Sequence, residues 1–116
     1  MLTKQERRDR KSYRRLVKKW SRKIRKKAKY WSKRPWDAEG GLSMFIEYMR
    51  FMKEYYNQSW NVWGEECADH DRYSGIARAL QSYEDWYNGE LGLQKQLQGR
   101  AAFFDTVKNE IDYWWD

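Results

Sequence analysis

Between Thr3 and Pro35 the chain has neither glycine nor proline, and its apolar and basic residues recur at steps of three and four. That period belongs to an α-helix and to no other regular structure. Roughly 30 residues at about 1.5 Å each make a single rod some 45 Å long. Thr3-Lys4-Gln5-Glu6 reads as a capping box, with the Thr3 hydroxyl accepting a terminal amide and Glu6 reaching back. Pro35 disfavours helical geometry at Arg34, so the helix is expected to stop about there.

The two sides of this rod differ. Tyr13, Leu16, Val17, Trp20, Ile24, Ala28 and Trp31 form an apolar stripe, the usual mark of a face docked on the rest of the fold or on a second copy. Opposite it run Lys4, Arg8, Lys11, Arg15, Lys18, Arg22, Lys26, Lys29 and Lys33, all basic. A merely solvated face mixes signs, because Glu–Lys pairs four apart support a helix and like charges oppose it. These nine are the candidate nucleic-acid-binding residues. Trp20, Trp31 and Trp36 are candidates for stacking or for an interface. Lys27 falls near the apolar side, in reach of acids on partner helices.

Composition sharpens the contrast. The 116 residues carry a net +7, from 24 Lys and Arg against 17 acids. Through Trp36 there are 17 basic residues and two acids, a net of +15; the remainder carries −8. Such asymmetry points to nucleic-acid or membrane association. Eight Trp and nine Tyr bury too much surface for a disordered chain. One cysteine, Cys67, excludes an internal disulfide framework and suits a reducing compartment. No apolar run reaches the roughly 18 residues of a membrane span, and no apolar leader core follows the first charges. The expected location is cytoplasmic, the host cytoplasm if the chain is phage-encoded.

Three further helices are expected. After a turn at Trp36-Asp37 and Gly40-Gly41, Leu42, Phe45, Ile46, Met49, Met52 and Tyr56 set a second stripe ending near Asn57. The stretch from Gln58 to Gly64 has no period and reads as an aromatic connector. Tyr73, Ile76, Ala77, Leu80, Tyr83 and Tyr87 make a third helix, closed by Asn88-Gly89, with the acidic run from Glu65 to Asp71 as its possible first turns. Leu93, Leu97, Phe104, Val107, Ile111 and Trp114 suggest a fourth, from about Glu90 to Trp115 through Gly99. The expected fold is all-α, about four helices in a bundle. Residues 1–34 form its basic amphipathic helix and 35–116 an acidic, aromatic-rich part of the same domain.

Catalytic chemistry is not signalled. Cys67-x-x-His70 is the one conventional ligand pair; structural zinc uses four ligands, and the chain has no other Cys or His. His70 is expected as a core histidine beside Trp63 and Cys67. A lone Cys and a lone His three apart lack the third orienting group of a nucleophilic site, and no Gly-rich phosphate loop occurs. The expectation is a non-enzyme with no catalytic residue, metal or cofactor.

Pro35-Trp36-Asp37, then Phe45 to Met52 through Tyr55-Tyr56, then Arg72 to Tyr87, resemble small helical proteins of unknown function in bacteriophage genomes. The resemblance covers about half the chain and rests on aromatic spacing. It implies a short phage-type accessory protein with no defined activity, and it leaves out the basic helix.

Three roles follow for that helix. The leading expectation is nucleic-acid binding, DNA or RNA, through phosphate contacts, with little base reading because Gln5 is its only amide. The alternative is a protein–protein module or inhibitor of a host protein, the helix docking on an acidic surface of that protein, of its own chain or of a second copy. Attachment to anionic membranes is the least favoured, since the bundle needs the apolar stripe.

Overall fold

The computed structural model describes residues 1–63 and 68–114. They form four helices and no strand: α1 Lys4–Trp31, α2 Ala38–Trp63, α3 Ala68–Tyr87 and α4 Leu93–Glu110, with 3-10 turns at Gly89–Leu91 and Ile111–Tyr113. The fold class is all-α, as the periodicity requires. The chain divides into two compact units, Met1–Tyr55 and Tyr56–Asp116, the boundary falling inside α2. The first carries 19 Lys and Arg against six acids, a net +13; the second carries −6.

In the first unit, α1 begins where the capping signal places it, with the Glu6 amide donating to Thr3 Oγ1 at 3.1 Å. It ends at Trp31, three residues before the expected stop. The Ser32 amide bonds the Ala28 carbonyl, the Ser32 hydroxyl bonds the Lys29 carbonyl at 2.8 Å, and the chain turns before Pro35 forces it to. Asp37 then starts α2, its carboxylate accepting the Glu39 amide at 2.9 Å. Gly40 and Gly41 therefore lie inside the first turn of α2, not in a loop. Gly40 is needed there: a Cβ on it would stand 2.9 Å from the Trp31 ring.

The contacts between α1 and this part of α2 run antiparallel. Trp31 meets Gly40, Lys27 meets Glu47, Lys19 meets Glu54, and Tyr13 meets Tyr55 edge-on at 5.7 Å. Trp20, Ile46 and Met49 are the buried apolar residues. A buried Trp removes roughly 200 Å² from water, about 5 kcal/mol at 25 cal/mol per Å². The apolar stripe of α1 is narrower than its sequence suggests: Leu16, Val17, Ile24 and Trp31 are half-buried, and Tyr13 and Ala28 are exposed.

The second unit is built differently. α2 does not end near Asn57, because Gln58 to Trp63 continue the helix; Gly64 and Cys67 lie outside the described residues. Tyr56 of α2 is buried, and its hydroxyl donates to the Trp114 carbonyl. Ile76, Ala79 and Leu80 of α3 are buried, together with Phe103 and Trp114. Asn88-Gly89 is not a left-handed helix cap. Asn88 is extended and caps the 3-10 turn, accepting the Glu90 amide, and the positive φ sits at Gly92. The turn at Gly92 delays α4 to Leu93, and the helix ends at Glu110.

The expected apolar stripe of α4 holds only in its last part: Val107 and Ile111 are half-buried and Trp114 is buried, but the earlier part is rotated. Leu93, Leu97 and Phe104 are exposed, Leu93 by 72%, while Gly99 and Phe103 are buried. At Gly99 an added Cβ would lie 2.8 Å from the Trp86 amide nitrogen and 2.9 Å from the Ser82 carbonyl oxygen. The two helices cross backbone against backbone at the residue without a side chain. That crossing, not the leucine spacing, decides which side of α4 faces inward. Phe103 then sits 5.9 Å from Tyr83 and 6.3 Å from Trp86.

Candidate nucleic-acid interface

All nine residues of the predicted basic face are exposed. Lys4, Arg8, Lys11, Arg15, Lys18, Arg22, Lys26 and Lys29 lie along α1, a helix of 28 residues and about 42 Å. Lys33 lies in the turn beyond it. Among the described residues none of the nine makes an ion pair.

Two acids of the first unit, Glu54 and Glu47, pair with cations outside these nine, and a third, Asp9, accepts from an amide. Glu54 holds Lys19 at 3.2 Å. Glu47, 4% exposed, takes Lys27 at 2.9 Å and Arg50 at 2.6 Å, both on the same oxygen. Asp9 accepts from Gln5. Lys27, placed near the apolar side by its position in the sequence, thus finds its acid on the facing helix; Glu47 as the receiving group could not be read from spacing.

Two carboxyls register these neighbours. Burial works to raise the Glu47 carboxyl, and hydrogen bonds and charge from Lys27 and Arg50 outweigh it, holding the group below its ordinary value. At Glu54 burial again works upward, and Trp20, Lys19 and Lys23 bring the net shift below the ordinary value. The Trp20 Nε1 is buried and makes no hydrogen bond of good geometry among the described residues.

The three tryptophans separate. Trp20 is 5% exposed, with Lys23 Nζ 4.5 Å from its ring centre, so it presents no face for stacking. Trp31 is half-buried and edge-on to Tyr30 at 5.0 Å. Trp36, in the turn after Pro35, is 80% exposed. Tyr30, which apolar spacing passed over, is 54% exposed with the Arg34 guanidinium 5.5 Å from its ring centre.

Between α1 and α2 lies an open groove of about 660 Å³. Lys23, Lys26 and Lys27 line one wall with Tyr30 and Trp31, and Ser43, Glu47 and Arg50 line the other. Four cations against one carboxylate leave it net positive.

His70 is half-buried, with Nδ1 3.8 Å from an Asp71 carboxylate oxygen. Its expected neighbours Trp63 and Cys67 cannot be placed beside it, since the Trp63 side chain and Cys67 are outside what is described. Among the described residues no three His, Cys, Asp or Glu side chains gather to hold a metal ion, and no helix is long and apolar enough to cross a membrane. Comparison of the chain with protein-family models, with curated proteins and with solved structures finds no match.

Proposed function

We propose that the protein is a non-enzymatic, phage-type accessory protein that binds nucleic acid through the outer face of α1. One observation carries the reading: eight exposed cations share one side of α1, with Lys33 in the turn beyond, and none of the nine makes an ion pair among the described residues, while Glu47 and Glu54 pair with Lys19, Lys27 and Arg50. A helix keeps like charges side by side at a cost, which a polyanion removes by taking the place of small counterions. Phosphates are contacted by the Lys and Arg heads, which position the strand without reading sequence.

Engagement of six to ten phosphates gives a log–log salt slope of about −0.9 per phosphate on a duplex. The test replaces Lys11, Arg15, Arg22 and Lys26 together by Glu and measures affinity and salt slope by anisotropy on a labelled oligonucleotide. The slope should flatten by about four contacts' worth, and affinity should drop by about a hundredfold or more near physiological salt. Unchanged binding and slope would sink the reading.

A second reading, a protein–protein module, is favoured by the exposed apolar side of the second unit, where Tyr87, Leu93, Leu97 and Phe104 are all open to solvent. Protein purified at high salt that carries no nucleic acid, binds none at low salt, and self-associates in light scattering would move the assignment there.

A further inference from the structure

The groove between α1 and α2 is open at the surface of the first unit. It adjoins the basic face, because Lys26 belongs to both. Its volume lies within the few hundred to one thousand Å³ usual for small-ligand sites. Its lining combines two kinds of group that seldom meet on a merely solvated surface. Among the described residues Lys26 has no ion-pair partner, and Lys23 has none within bonding distance although it lies over the Trp20 ring and feels Glu54, whereas Lys27 and Arg50 are fixed by Glu47. Tyr30 offers a half-exposed ring at the same groove, steadied by Trp31 edge-on and by Arg34 on the ring.

Aromatic rings beside a cationic track are the means by which proteins hold unpaired bases, since every base has a π-face and every nucleotide a phosphate. Paired bases are already stacked on both sides and have no face to offer. The Glu47 carboxylate does not repel a phosphate here, because two cations already neutralise it.

We infer that the groove takes an unpaired nucleotide of a single strand, its base against Tyr30 and its phosphate on Lys23 and Lys26. This rests on the nucleic-acid reading of α1 and narrows it to single-stranded substrate. The backbone on either side of the captured nucleotide would continue along Arg22 and Lys29 of the outer face.

The experiment uses the full chain, a labelled oligothymidylate and a duplex with the same number of phosphates. The single strand should bind several-fold tighter than the duplex. Tyr30→Ala should reduce single-strand affinity about tenfold, toward the low end for one stacked base, and leave duplex affinity unchanged. Tyr30→Phe, which keeps the ring, should retain the preference. A strand carrying 5-bromouracil should crosslink into the peptide that contains Tyr30 and Trp31, which gives a readout that does not depend on how the variants fold. Equal affinity for both probes, with Tyr30→Ala inert and crosslinks confined to other peptides, overturns the groove and leaves the phosphate-binding face standing. Failure of both probes to bind at low salt overturns the two together.

Discussion

The two units hold their helices together by different means. In the first, a small apolar contact of Trp20, Ile46 and Met49 is flanked by ion pairs: Lys27 of α1 reaches Glu47, which Arg50 of the same α2 also holds, Lys19 reaches Glu54, and a groove stays open between the helices. In the second, α3 and α4 touch at Gly99, and the aromatic rings of Tyr83, Trp86 and Phe103 close around the crossing. Side-chain contacts at a distance leave room for a ligand and remain sensitive to solution conditions. Backbone contact leaves no such room, although Arg78 of α3 also pairs with Glu110 of α4 at 2.8 Å. The difference places the functional candidates on the first unit and the tightest steric demand on the second.

The sharpest attack on this contrast is at Gly99. Gly99→Leu drives a side chain into Trp86 and Ser82 backbone atoms that cannot rotate away. The expected loss is about 3 kcal/mol, the upper part of the range for overpacked cores. Chemical denaturation measures it; a loss under about 0.5 kcal/mol, the scale of surface substitutions, would mean that the crossing is loose.

Next comes Glu47→Gln, which removes the acid on which two cations converge. Lys27 and Arg50 remain partly hydrated after the change, so the cost is about 1 to 2 kcal/mol, a lost charged hydrogen bond and not a stranded buried charge. The pH dependence carries a sign. The folded Glu47 carboxyl lies below its ordinary value, so its stabilisation is fully present above the unfolded pKa and fades as pH falls through the folded one. Wild-type protein should therefore lose stability on acidification more steeply than Glu47→Gln. Hydrogen exchange should locate that difference in α1 and α2. Equal acid profiles for the two proteins would remove the charge-based account of the first unit.

The smallest effect has the opposite sign. Gly41 is exposed in the first turn of α2, with nothing within 4 Å of an added Cβ. Gly41→Ala should stabilise by about 0.5 to 1 kcal/mol by restricting the unfolded chain and favouring helix. A glycine is thus spare in one unit and indispensable in the other, and thermal denaturation of the two variants makes the comparison directly.

The same contrast explains what could be read from the sequence. The start of α1, its basic face and the inward position of Lys27 follow from helical spacing and a capping motif, which are local. The end at Trp31 is not visible in the sequence, because it is set by the Ser32 hydroxyl bonding the Lys29 carbonyl and by the tighter turn from Trp31 to Arg34, ahead of the proline. The helical state of Gln58 to Trp63 does not show in the sequence, because Gln-Ser-Trp-Asn-Val-Trp has no amphipathic period of its own. In the first part of α4 apolar periodicity points to Leu93 and Leu97, whereas a missing Cβ at Gly99 sets the crossing point; periodicity is blind to a contact made by backbone. At the candidate site, cations are visible in the sequence, but the groove and Tyr30 arise only when a second helix supplies the opposite wall.

The crowding of like charge along α1 also gives ionic strength two opposed effects. Added salt screens both the exposed Lys19–Glu54 pair and the repulsion between successive turns; with a net +13 on the first unit the repulsion is the larger, so salt should raise its melting temperature. The same ions compete for phosphate contacts and should lower affinity for a strand. The conditions in which this protein is most robust should therefore be those in which it is least adherent.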